Sequence, residues 1–476
     1  MKKTLENLVK GIKNFSRKLA FAGALLGGAY STQAYSAEAP KSTWEYSYQT
    51  ENGTISEIKE ASDGSYIATG SHNGGWKQGI YLLKVNKNGR TELFEHYYGD
   101  QGNSLAETAD GYVLTGSLNE NGKGNLLVVG TDFAGKEKWR KVYREASDGT
   151  KVIRTSDGNL LVFGQIPDSV SALDAYLIKM DKDKNDIFKK IIGEKGWEDF
   201  CFDGIETSDR GYVFSGAHGS FNLQKFQGNL TKTDSNGEVL WTRVYEESPG
   251  IGHYFISETS DKGIIQAGTR NGEYIFLTKT DSNGDVQWSR DFNELLGNAF
   301  SVKETKDKGL AVSGIFYKNP PDGEAVLLRT DEQGTPLWVK TYGSKTKETF
   351  WSSANSLIVI NDGFVFGGNC YFGKPYQKLY IVKTDTDGDV PPHFKRGDAN
   401  LDERLNIADA ISVLGHIYNN KKIKCSDAAD ANDNGKIETA DAISILSRIF
   451  NKGPWLPFPN ITPSFDPTED DLTCGE

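Results

Sequence analysis

Short apolar runs alternate with glycine-rich polar turns along most of the chain, and residues 257–292 show this pattern clearly. Within this stretch, Ser260-Asp261-Lys262-Gly263 and Asp281-Ser282-Asn283-Gly284 each separate two apolar runs. An Asn-Gly pair between alternating runs is typical of a hairpin with a type I′ turn, because both residues accept positive φ angles. The stretch therefore predicts four short antiparallel strands.

The first turn of this unit recurs seven times. Each copy has an aspartate and a glycine, then an apolar residue, and another glycine four positions after that residue. The apolar residue and second glycine of the copies are Tyr66/Gly70, Tyr112/Gly116, Leu160/Gly164, Tyr212/Gly216, Ile264/Gly268, Leu310/Gly314 and Phe364/Gly368. Successive second glycines are 46 to 54 residues apart, and this period favours a four-stranded propeller blade over the shorter helical repeats.

The fourth strand of the unit is an aromatic residue followed by a bulky residue four positions later, which places both on one face of a strand. The pairs are Trp139/Tyr143, Trp241/Tyr245, Trp288/Phe292 and Trp338/Tyr342, with looser matches at Phe94/Tyr98 and Phe188/Ile192. The seventh repeat lacks this strand, because Pro391 and Pro392 follow its last turn and proline cannot donate to a sheet.

The missing strand has a counterpart near the N-terminus, where Trp44 and Tyr48 have the same spacing just before the first repeat. We predict that this N-terminal strand completes the seventh blade and closes a ring, which leaves no long unpaired edge. The alternative is an open array of seven hairpin units.

The repeat resembles those of secreted bacterial propellers of the quinoprotein-like or delta-60 type, over residues 42–392. The resemblance implies an all-β, seven-bladed β-propeller with four-stranded antiparallel blades, and it implies no catalytic residues. No nucleophile elbow, zinc motif or phosphate-binding loop occurs. Aromatic or imidazole side chains lie in or beside irregular loops of the fourth and seventh repeats, as binding or capping groups: Trp197, His218, Phe221, Tyr371, Phe372 and Tyr376.

The pattern changes after Pro392, where two loops present oxygen ligands at positions 1, 3, 5, 9 and 12, with a backbone carbonyl at position 7. The first comprises Asp398, Asn400, Asp402, Arg404, Asn406 and Asp409, and the second Asp430, Asn432, Asn434, Lys436, Glu438 and Asp441. This spacing lets one loop wrap a calcium ion. Position 6 usually needs glycine. It is Gly435 in the second loop but Glu403 in the first, so we expect the first site to be weaker or distorted.

Each loop runs into a segment with helical periodicity, at 408–419 and 440–451, and eight of the twelve aligned positions are identical. The apolar positions recur at helical spacing. They are Ile407, Ile411, Leu414 and Ile417 in the first helix and Ile443, Leu446, Ile449 and Phe450 in the second. We predict that these two stripes pack on each other.

The two loop-helix units resemble a type I dockerin, over residues 396–453. The resemblance implies a small α-helical, EF-hand-like domain with two Ca²⁺ ions, calcium-dependent folding and docking onto a cohesin-like or cell-surface protein. Partner choice in that family falls partly on loop positions 10 and 11, here Ile407-Ala408 and Thr439-Ala440. These are not the usual hydroxyl pairs, so a cellulosomal partner is in doubt. The alternative is a stabilising cap without a partner.

Residues 1–37 are typical of a secretory signal, with six basic residues before a short apolar run at 19–29. That run falls short of the ~20 residues that span a bilayer, so we expect cleavage and export rather than an integral membrane protein. Cleavage changes the net charge from −11 to −16. Without a basic cluster elsewhere, nucleic-acid binding is not expected. Export permits disulfides, and we predict that Cys425 and Cys474 tie the tail at 454–476 to the helical module.

Three functions remain open for this chain, which we expect to be a monomer. The favoured one is a secreted binding or display module for extracellular polysaccharide degradation or cell-surface assembly, held by its dockerin-like domain. The second is an enzyme, a glycoside hydrolase or polysaccharide lyase, because carboxylate pairs for glycoside cleavage depend on the fold and not on sequence spacing. The third is a purely structural surface protein.

Overall fold

The structure is a computed structural model. It describes residues 43–48, 53–72, 79–168, 172–220, 225–245, 255–270, 272–319, 322–343, 349–372, 377–390, 394–402, 404–457, 472 and 474. The predicted signal at 1–37, the residue Glu403 and most of the tail at 454–476 lie outside these residues.

Four separate sheets each contain four antiparallel strands in chain order. The first comprises β2 (Gly53–Glu60), β3 (Tyr66–His72), β4 (Gly79–Val85) and β5 (Thr91–Tyr97). The second comprises β6 (Gln101–Glu107), β7 (Tyr112–Glu120), β8 (Lys123–Thr131) and β9 (Glu137–Tyr143). The third comprises β10 (Asp148–Arg154), β11 (Leu160–Pro167), β12 (Leu173–Met180) and β13 (Asp186–Ile192). The fourth comprises β14 (Glu198–Glu206), β15 (Tyr212–Ser220), β16 (Lys225–Thr233) and β17 (Val239–Tyr245).

The remaining strands form one eleven-stranded sheet. They are β1 (Trp44–Tyr48), β18 (Phe255–Glu258), β19 (Ile264–Arg270), β20 (Tyr274–Thr280), β21 (Val286–Glu304), β22 (Leu310–Asn319), β23 (Asp322–Thr330), β24 (Pro336–Tyr342), β25 (Thr349–Ile360), β26 (Gly363–Phe372) and β27 (Gln377–Thr384). Strand β21 pairs mainly through its first part with β20 and through its second part with β22. Strands β23 and β25 meet at one parallel bridge, between Gly323 and Trp351. The large sheet therefore consists of shorter antiparallel groups joined at narrow points.

The N-terminal strand β1 lies at one end of this sheet, antiparallel to β27. Trp44 lies opposite Lys383, and Tyr48 lies opposite Leu379. The predicted pairing of the N-terminus with the last repeat is therefore confirmed. Together, the repeated four-stranded antiparallel sheets define a mostly β, propeller-like fold.

The apolar core lies between successive sheets. One cluster joins Leu82 of the first sheet to Leu114 of the second, and comparable clusters join each later group of strands to the next. A further cluster packs Trp44 and Ile381, from the last group, against Ile55 of the first sheet. Because neighbouring sheets cover both faces of the middle strands, those strands are almost continuously apolar.

The turn at 281–285 differs from the predicted type I′ hairpin. Gly284 has a φ of +80°, whereas Asn283 is not among the residues with positive φ. The Gly284 N–H donates to the Asp281 carbonyl at 3.2 Å, and the Asn283 N–H donates to the Asp281 carboxylate at 2.8 Å. The type I′ prediction is wrong because the Asp281 side chain holds the turn and leaves only the glycine in the left-handed region.

The aromatic pair predicted for the first sheet is displaced by one residue. Strand β5 ends at Tyr97, which is buried, whereas Tyr98 is 66% exposed. Leu93 occupies the packing position expected for Phe94. Its side chain lies against Gly135 in the turn of the next group, where an added Cβ would be only 2.9 Å from Leu93. The prediction was wrong because leucine takes the place of the aromatic residue in this repeat.

One hydrogen bond recurs between neighbouring groups of strands. A tyrosine hydroxyl at the end of an outer strand donates to the carbonyl oxygen of the glycine in the next group's turn. The pairs are Tyr97 to Gly135 at 2.6 Å, Tyr245 to Gly284 at 3.0 Å, Tyr342 to Gly388 at 2.8 Å and Tyr48 to Gly89 at 2.7 Å. The bond from Tyr48 joins the last group to the first sheet.

An ion pair also recurs within the sheets. The lysine or arginine of the third strand pairs with the aspartate of the first turn. The pairs are Lys84–Asp63, Lys179–Asp157, Lys232–Asp209, Lys279–Asp261, Arg329–Asp307 and Lys383–Asp362. The second sheet departs from this rule, because Gly130 occupies the position of the lysine opposite Val113.

The C-terminal module contains α1 (Ile407–Asn419), α2 (Ser426–Ala429) and α3 (Thr439–Phe450). Helices α1 and α3 lie where the periodicity predicted them. Their buried contact comprises Ala410, Val413, Ala442 and Ile445, with Leu414, Ile417, Leu446 and Ile449 partly buried.

The stripe prediction is wrong in part, because four of its members face solvent. Ile407, Ile411, Ile443 and Phe450 are 52%, 56%, 61% and 65% exposed. The buried contact instead centres on Ala410 and Val413 of α1 and on Ala442 and Ile445 of α3, so the face that includes these four residues is left outside it. No helix in the described part of the chain is long and apolar enough to cross a membrane.

Candidate functional sites

The first acidic loop brings three predicted ligands together. Carboxylate oxygens of Asp398, Asp402 and Asp409 lie within 4.8 Å of one another. The backbone shapes the loop around them: the Asp402 N–H donates to Asp398 at 3.0 Å, and the Asn400 N–H donates to Asp409 at 3.3 Å. Asn406 is also the N-cap of α1, where its side chain accepts from the Ala408 N–H at 2.8 Å.

The second loop repeats this arrangement. Asp441 accepts from the N–H groups of Asn432 at 3.1 Å and Glu438 at 2.7 Å. Asp430 accepts from the N–H groups of Asn434 and Gly435, at 3.2 Å and 2.7 Å. The position 12 aspartates of both loops are fully buried. The duplicated sequence therefore folds into two loops of closely similar hydrogen bonding.

The donor set of both loops fits a hard cation. The side-chain oxygen of Asn432, at position 3, is buried without a hydrogen-bond partner among the described residues. Burial raises the pKa of Asp409 to about 6, and Asp398 and Asp402 contribute in the same direction. Burial also raises the pKa of Asp441 to about 6, with a further contribution from Asp430. A calcium ion would neutralise the crowded carboxylates, and the amide oxygen that lacks a hydrogen-bond partner could coordinate it.

A buried arginine that the sequence analysis missed supports the second loop. The Arg396 guanidinium is fully buried and donates to the carbonyl oxygens of Asp427 at 3.2 Å and Asp430 at 2.8 Å. It also forms an ion pair with Asp433 at 2.9 Å. Arg396 lies two residues before the first loop, so it links the two halves of the module.

The cysteine prediction for this module is confirmed: Cys425 and Cys474 form a disulfide. Cys425 lies just before α2, and its cluster includes Phe394 and Ala428. The bond therefore holds the end of the tail against the residues that precede the first loop.

The positions predicted for partner contact lie at the starts of α1 and α3. Ile407 and Thr439 are exposed, and Ala408 and Ala440 are half-buried. The exposed apolar side chains described above continue this surface along both helices, with Tyr418 at 68% exposure. We call Ile407, Ile411, Tyr418, Ile443 and Phe450 the helix surface.

On the strand-rich part of the chain, the structure brings together two side chains that the sequence analysis named separately. The rings of Trp197 and His218 are stacked, with centroids 4.9 Å apart and planes 15° from parallel. His218 is held by Asp199, whose carboxylate lies 2.8 Å from its Nδ1 atom. The other Asp199 oxygen accepts from the Glu194 N–H at 2.7 Å. The histidine is therefore part of an ordered polar group beside the tryptophan.

Asp174, which the sequence analysis missed, interacts electrostatically with Asp199, the carboxylate that holds His218. Its side chain is 7% exposed, and its Oδ1 atom has no hydrogen-bond partner among the described residues. Burial raises its pKa to about 6, and the carboxylates of Asp199, Asp168 and Glu198 add to the effect. Asp174 therefore retains its proton to a higher pH than an ordinary aspartate.

The neighbouring carboxylates accept hydrogen bonds from backbone N–H groups. Asp168 accepts from the N–H groups of Ala172 and Gly196, each at 2.9 Å, and Glu198 accepts from the Leu173 N–H at 2.7 Å. We call the whole group the Asp174 cluster. Its members are Asp168, Asp174, Trp197, Glu198, Asp199 and His218. No sequence motif indicated it, because its residues come from two sheets and the segments that join their strands.

Of the other predicted aromatic residues, only Tyr371 has a described side chain, and it lies on β26. Tyr371 packs edge to face with Trp351 at 5.9 Å in the last group of strands. Phe221 and Tyr376 lie outside the described residues, and the Phe372 side chain is not described. The Asp174 cluster is therefore the better-defined candidate for ligand contact.

These features define a propeller-like protein with a duplicated acidic-loop module. No known family model matches the chain, and no curated protein matches it significantly. A protein of unknown function from Bacteroides caccae is similar over 58% of this chain and 93% of its own, with 14% identity and a TM-score of 0.38.

Two further solved structures show likenesses of the same kind. A protein of unknown function from Dyadobacter fermentans has 11% identity and a TM-score of 0.41, over 71% of this chain and 97% of its own. Hydrazine synthase from Kuenenia stuttgartiensis has 13% identity and a TM-score of 0.48, over 75% of this chain and 99% of its own. Likenesses this distant indicate no function for this chain.

Proposed function

We propose that this chain is a secreted, seven-bladed propeller that binds extracellular polysaccharide and is held in place by a calcium-loaded, dockerin-like module. Seven blades follow if β21 is divided between the fifth and sixth blades and β1 supplies the outer strand of the seventh. The recurring tyrosine-to-glycine hydrogen bond supports this count. Tyr48 links the last group to the first sheet in the same way that Tyr97 links the first sheet to the second.

The observation that carries the calcium proposal is the convergence of Asp398, Asp402 and Asp409 within 4.8 Å. Three carboxylates so close repel one another unless a cation neutralises them. The orphaned oxygen of Asn432 supports an ion in the second loop as well. Bound calcium would supply the positive charge that stabilises both loops.

Calorimetric titration of calcium chloride into residues 38–476 tests this proposal. We expect two ions per chain. The double change Asp398→Ala and Asp409→Ala should remove one binding event, and Asp430→Ala with Asp441→Ala should remove the other. Asp183→Ala, in an exposed acidic turn of the third sheet, is the control and should change neither. A chain that binds no calcium would contradict the proposal.

The helix surface favours a role in docking. Exposed isoleucine and aromatic side chains on two duplicated helices are typical of a protein contact rather than of a cap facing water. We propose that it binds a cohesin-like partner with an apolar face. Binding to a panel of immobilised cohesin domains should be lost in Ile411→Asp with Ile443→Asp, while calcium binding is retained. Absence of binding by the unmodified chain to every partner would favour the stabilising cap.

For the propeller, the Asp174 cluster favours a carbohydrate ligand. A tryptophan ring beside carboxylates and an imidazole offers stacking for a sugar face and acceptors for its hydroxyl groups. We expect Trp197→Ala to weaken retention on polysaccharide in affinity electrophoresis, whereas Trp455→Ala, a change at an exposed tail residue, should not. Equal retention of both variants would contradict this placement.

A second candidate function is catalysis, and one observation favours it. Burial and the charge of Asp199 raise the pKa of Asp174 to about 6, and a carboxyl group that keeps its proton at a raised pH can act as a general acid. Turnover of a panel of plant and algal polysaccharides, lost in Asp174→Asn, would establish an enzyme. Retention without any product would favour the binding module, and neither retention nor product would favour the structural surface protein.

A further inference from the structure

Five charged side chains from the innermost strands of four different groups interact electrostatically inside the propeller-like part. They are Glu57 and Lys59 on β2, Lys151 on β10, Asp203 on β14 and Lys303 on β21. The Lys151 ammonium lies 2.8 Å from Glu57 and 2.9 Å from Asp203. The Lys59 ammonium lies 3.4 Å from Glu57. We call these five residues the inner cluster.

Both carboxylates of the inner cluster already have several donors. Glu57 accepts from the Ser104 hydroxyl at 2.6 Å and from the Leu105 N–H at 2.9 Å. Asp203 accepts from the Ile256 N–H at 3.1 Å. Burial alone would raise the pKa of Glu57, but Lys151 and Lys59 outweigh it and lower the pKa to about 2. Both carboxylates therefore already accept hydrogen bonds, and Glu57 is ionised at neutral pH.

Lys303 has no comparable partner. Among the described residues, its ammonium forms no hydrogen bond and no ion pair within 4.0 Å, although Lys151, Asp203, Glu57 and Lys59 all act on it electrostatically. Burial lowers its pKa, and Lys151 contributes in the same direction. The cluster contains three lysines but only two carboxylates, so when all five groups are charged one ammonium has no carboxylate to balance it. An uncompensated charge that is largely surrounded by protein is costly unless an ion of opposite sign joins it.

The position of Lys303 matches that of Lys59. Each is followed by a glutamate and then by the first turn of its repeat, and each pairs across to the second strand of its own sheet, opposite Ala311 and Ile67 respectively. Both side chains keep partial contact with solvent. A small ion can therefore reach them, although they are surrounded by the inner strands.

We propose that the inner cluster is an anion site, in which Lys303 and Lys59 bind one small oxyanion. An oxyanion can accept hydrogen bonds from both ammonium groups and cancels the excess charge. The site is independent of the acidic loops and of the Asp174 cluster. Neither the calcium proposal nor the polysaccharide proposal depends on it.

Calorimetric titration of sodium sulfate into residues 38–476, with sodium chloride at equal ionic strength as the reference, tests the proposal. We expect one sulfate per chain. Lys303→Met should weaken binding roughly 10-fold or more, because a charge-assisted hydrogen bond is lost. Lys306→Met, which changes an exposed lysine of the adjacent turn, should bind as the unmodified chain does.

Thermal unfolding without sulfate provides a second readout. Removal of an uncompensated charge should leave the melting temperature of Lys303→Met unchanged or raised, whereas removal of a paired lysine would lower it. If Lys303→Met fails to fold, Lys59→Met takes its place in the titration. No sulfate binding by the unmodified chain, or equal binding by the Lys303→Met and Lys306→Met variants, would overturn the proposal.

Discussion

The Tyr48 hydroxyl donates a hydrogen bond to the carbonyl oxygen of Gly89 at 2.7 Å. The two residues are 41 positions apart in the chain. Tyr48 belongs to the strand that pairs with β27, whereas Gly89 lies in the second hairpin of the first sheet. The bond therefore joins the last group of strands to the first, and it repeats the contact between Tyr97 and Gly135.

Tyr48→Phe should lower the free energy of unfolding by about 1 kcal/mol, which is typical for the loss of one partly buried hydrogen bond. Urea unfolding monitored by tryptophan fluorescence would measure it. Tyr98→Phe is the control, because Tyr98 is 66% exposed and its hydroxyl makes no hydrogen bond among the described residues. If both variants are equally stable, the bond does not contribute to closing the sheet array.

Gly334→Ala should be more destabilising than Gly64→Ala. Both glycines have a positive φ, of +76° and +79°, so alanine costs about 1–2 kcal/mol at either position. A Cβ at Gly334 would also lie 2.8 Å from the Trp288 ring of the preceding group, whereas a Cβ at Gly64 would meet nothing within 4 Å.

The extra cost at Gly334 should be about 1–3 kcal/mol, the usual penalty for overpacking. Urea unfolding measures this extra cost as the difference in unfolding free energy between the two variants. An equal cost for both would mean that the packing of Trp288 on the neighbouring turn is loose enough to relax.

Asp63→Asn should destabilise the chain more at pH 6 than at pH 3. Hydrogen bonds from Lys84 and Ser65 lower the pKa of Asp63 to about 2, below the ordinary value near 3.9. A depressed folded-state pKa gives stability that is present above the unfolded-state pKa and is lost as the pH falls towards 2.

The matched control for this change is Asp110→Asn, in the equivalent turn of the second sheet. Gly130 replaces the lysine there, so no ammonium faces the aspartate from that position. Unfolding free energies at pH 6 and pH 3 should therefore show a smaller pH-dependent difference for this variant. If the pH-dependent difference were as large as that of Asp63→Asn, the turn itself and not the lysine would be the cause of the pH dependence.

Cys425→Ser with Cys474→Ser should destabilise the C-terminal module by about 4 kcal/mol, the chain-entropy estimate for a closed loop of this size. The two cysteines are 49 residues apart. The readout is helical circular dichroism during urea unfolding, compared with the oxidised, unmodified chain. Cys201→Ser, at a buried free cysteine, controls for the substitution itself. An unchanged helical transition would mean that the tail adds nothing to the module.

Local patterns in the chain predicted much of this fold. Turn residues and apolar runs recur with a regular period, because each strand and turn depends mainly on its own residues. The same holds for helices α1 and α3 and for the ligand spacing of the two acidic loops. Even the partner of β1 could be inferred, because the last repeat lacks a strand that Trp44 and Tyr48 supply.

The details that failed depend on contacts between distant residues. Leu93 replaces an aromatic residue at the packing position in the first sheet. The contact of α1 and α3 uses a different face of each helix from the predicted one, which leaves Ile411 and Ile443 exposed. Neither outcome can be read from one segment, because burial is decided by the surface that packs against it.

The candidate sites also differ in whether the sequence alone could predict them. Each acidic loop is continuous, so its ligands could be identified in order along the chain. The Asp174 cluster and the inner cluster draw their residues from separate sheets, and Lys303 and Glu57 are 246 positions apart in the chain. Only the folded arrangement brings such charges together among packed strands, where an unpaired group is costly enough to favour a ligand.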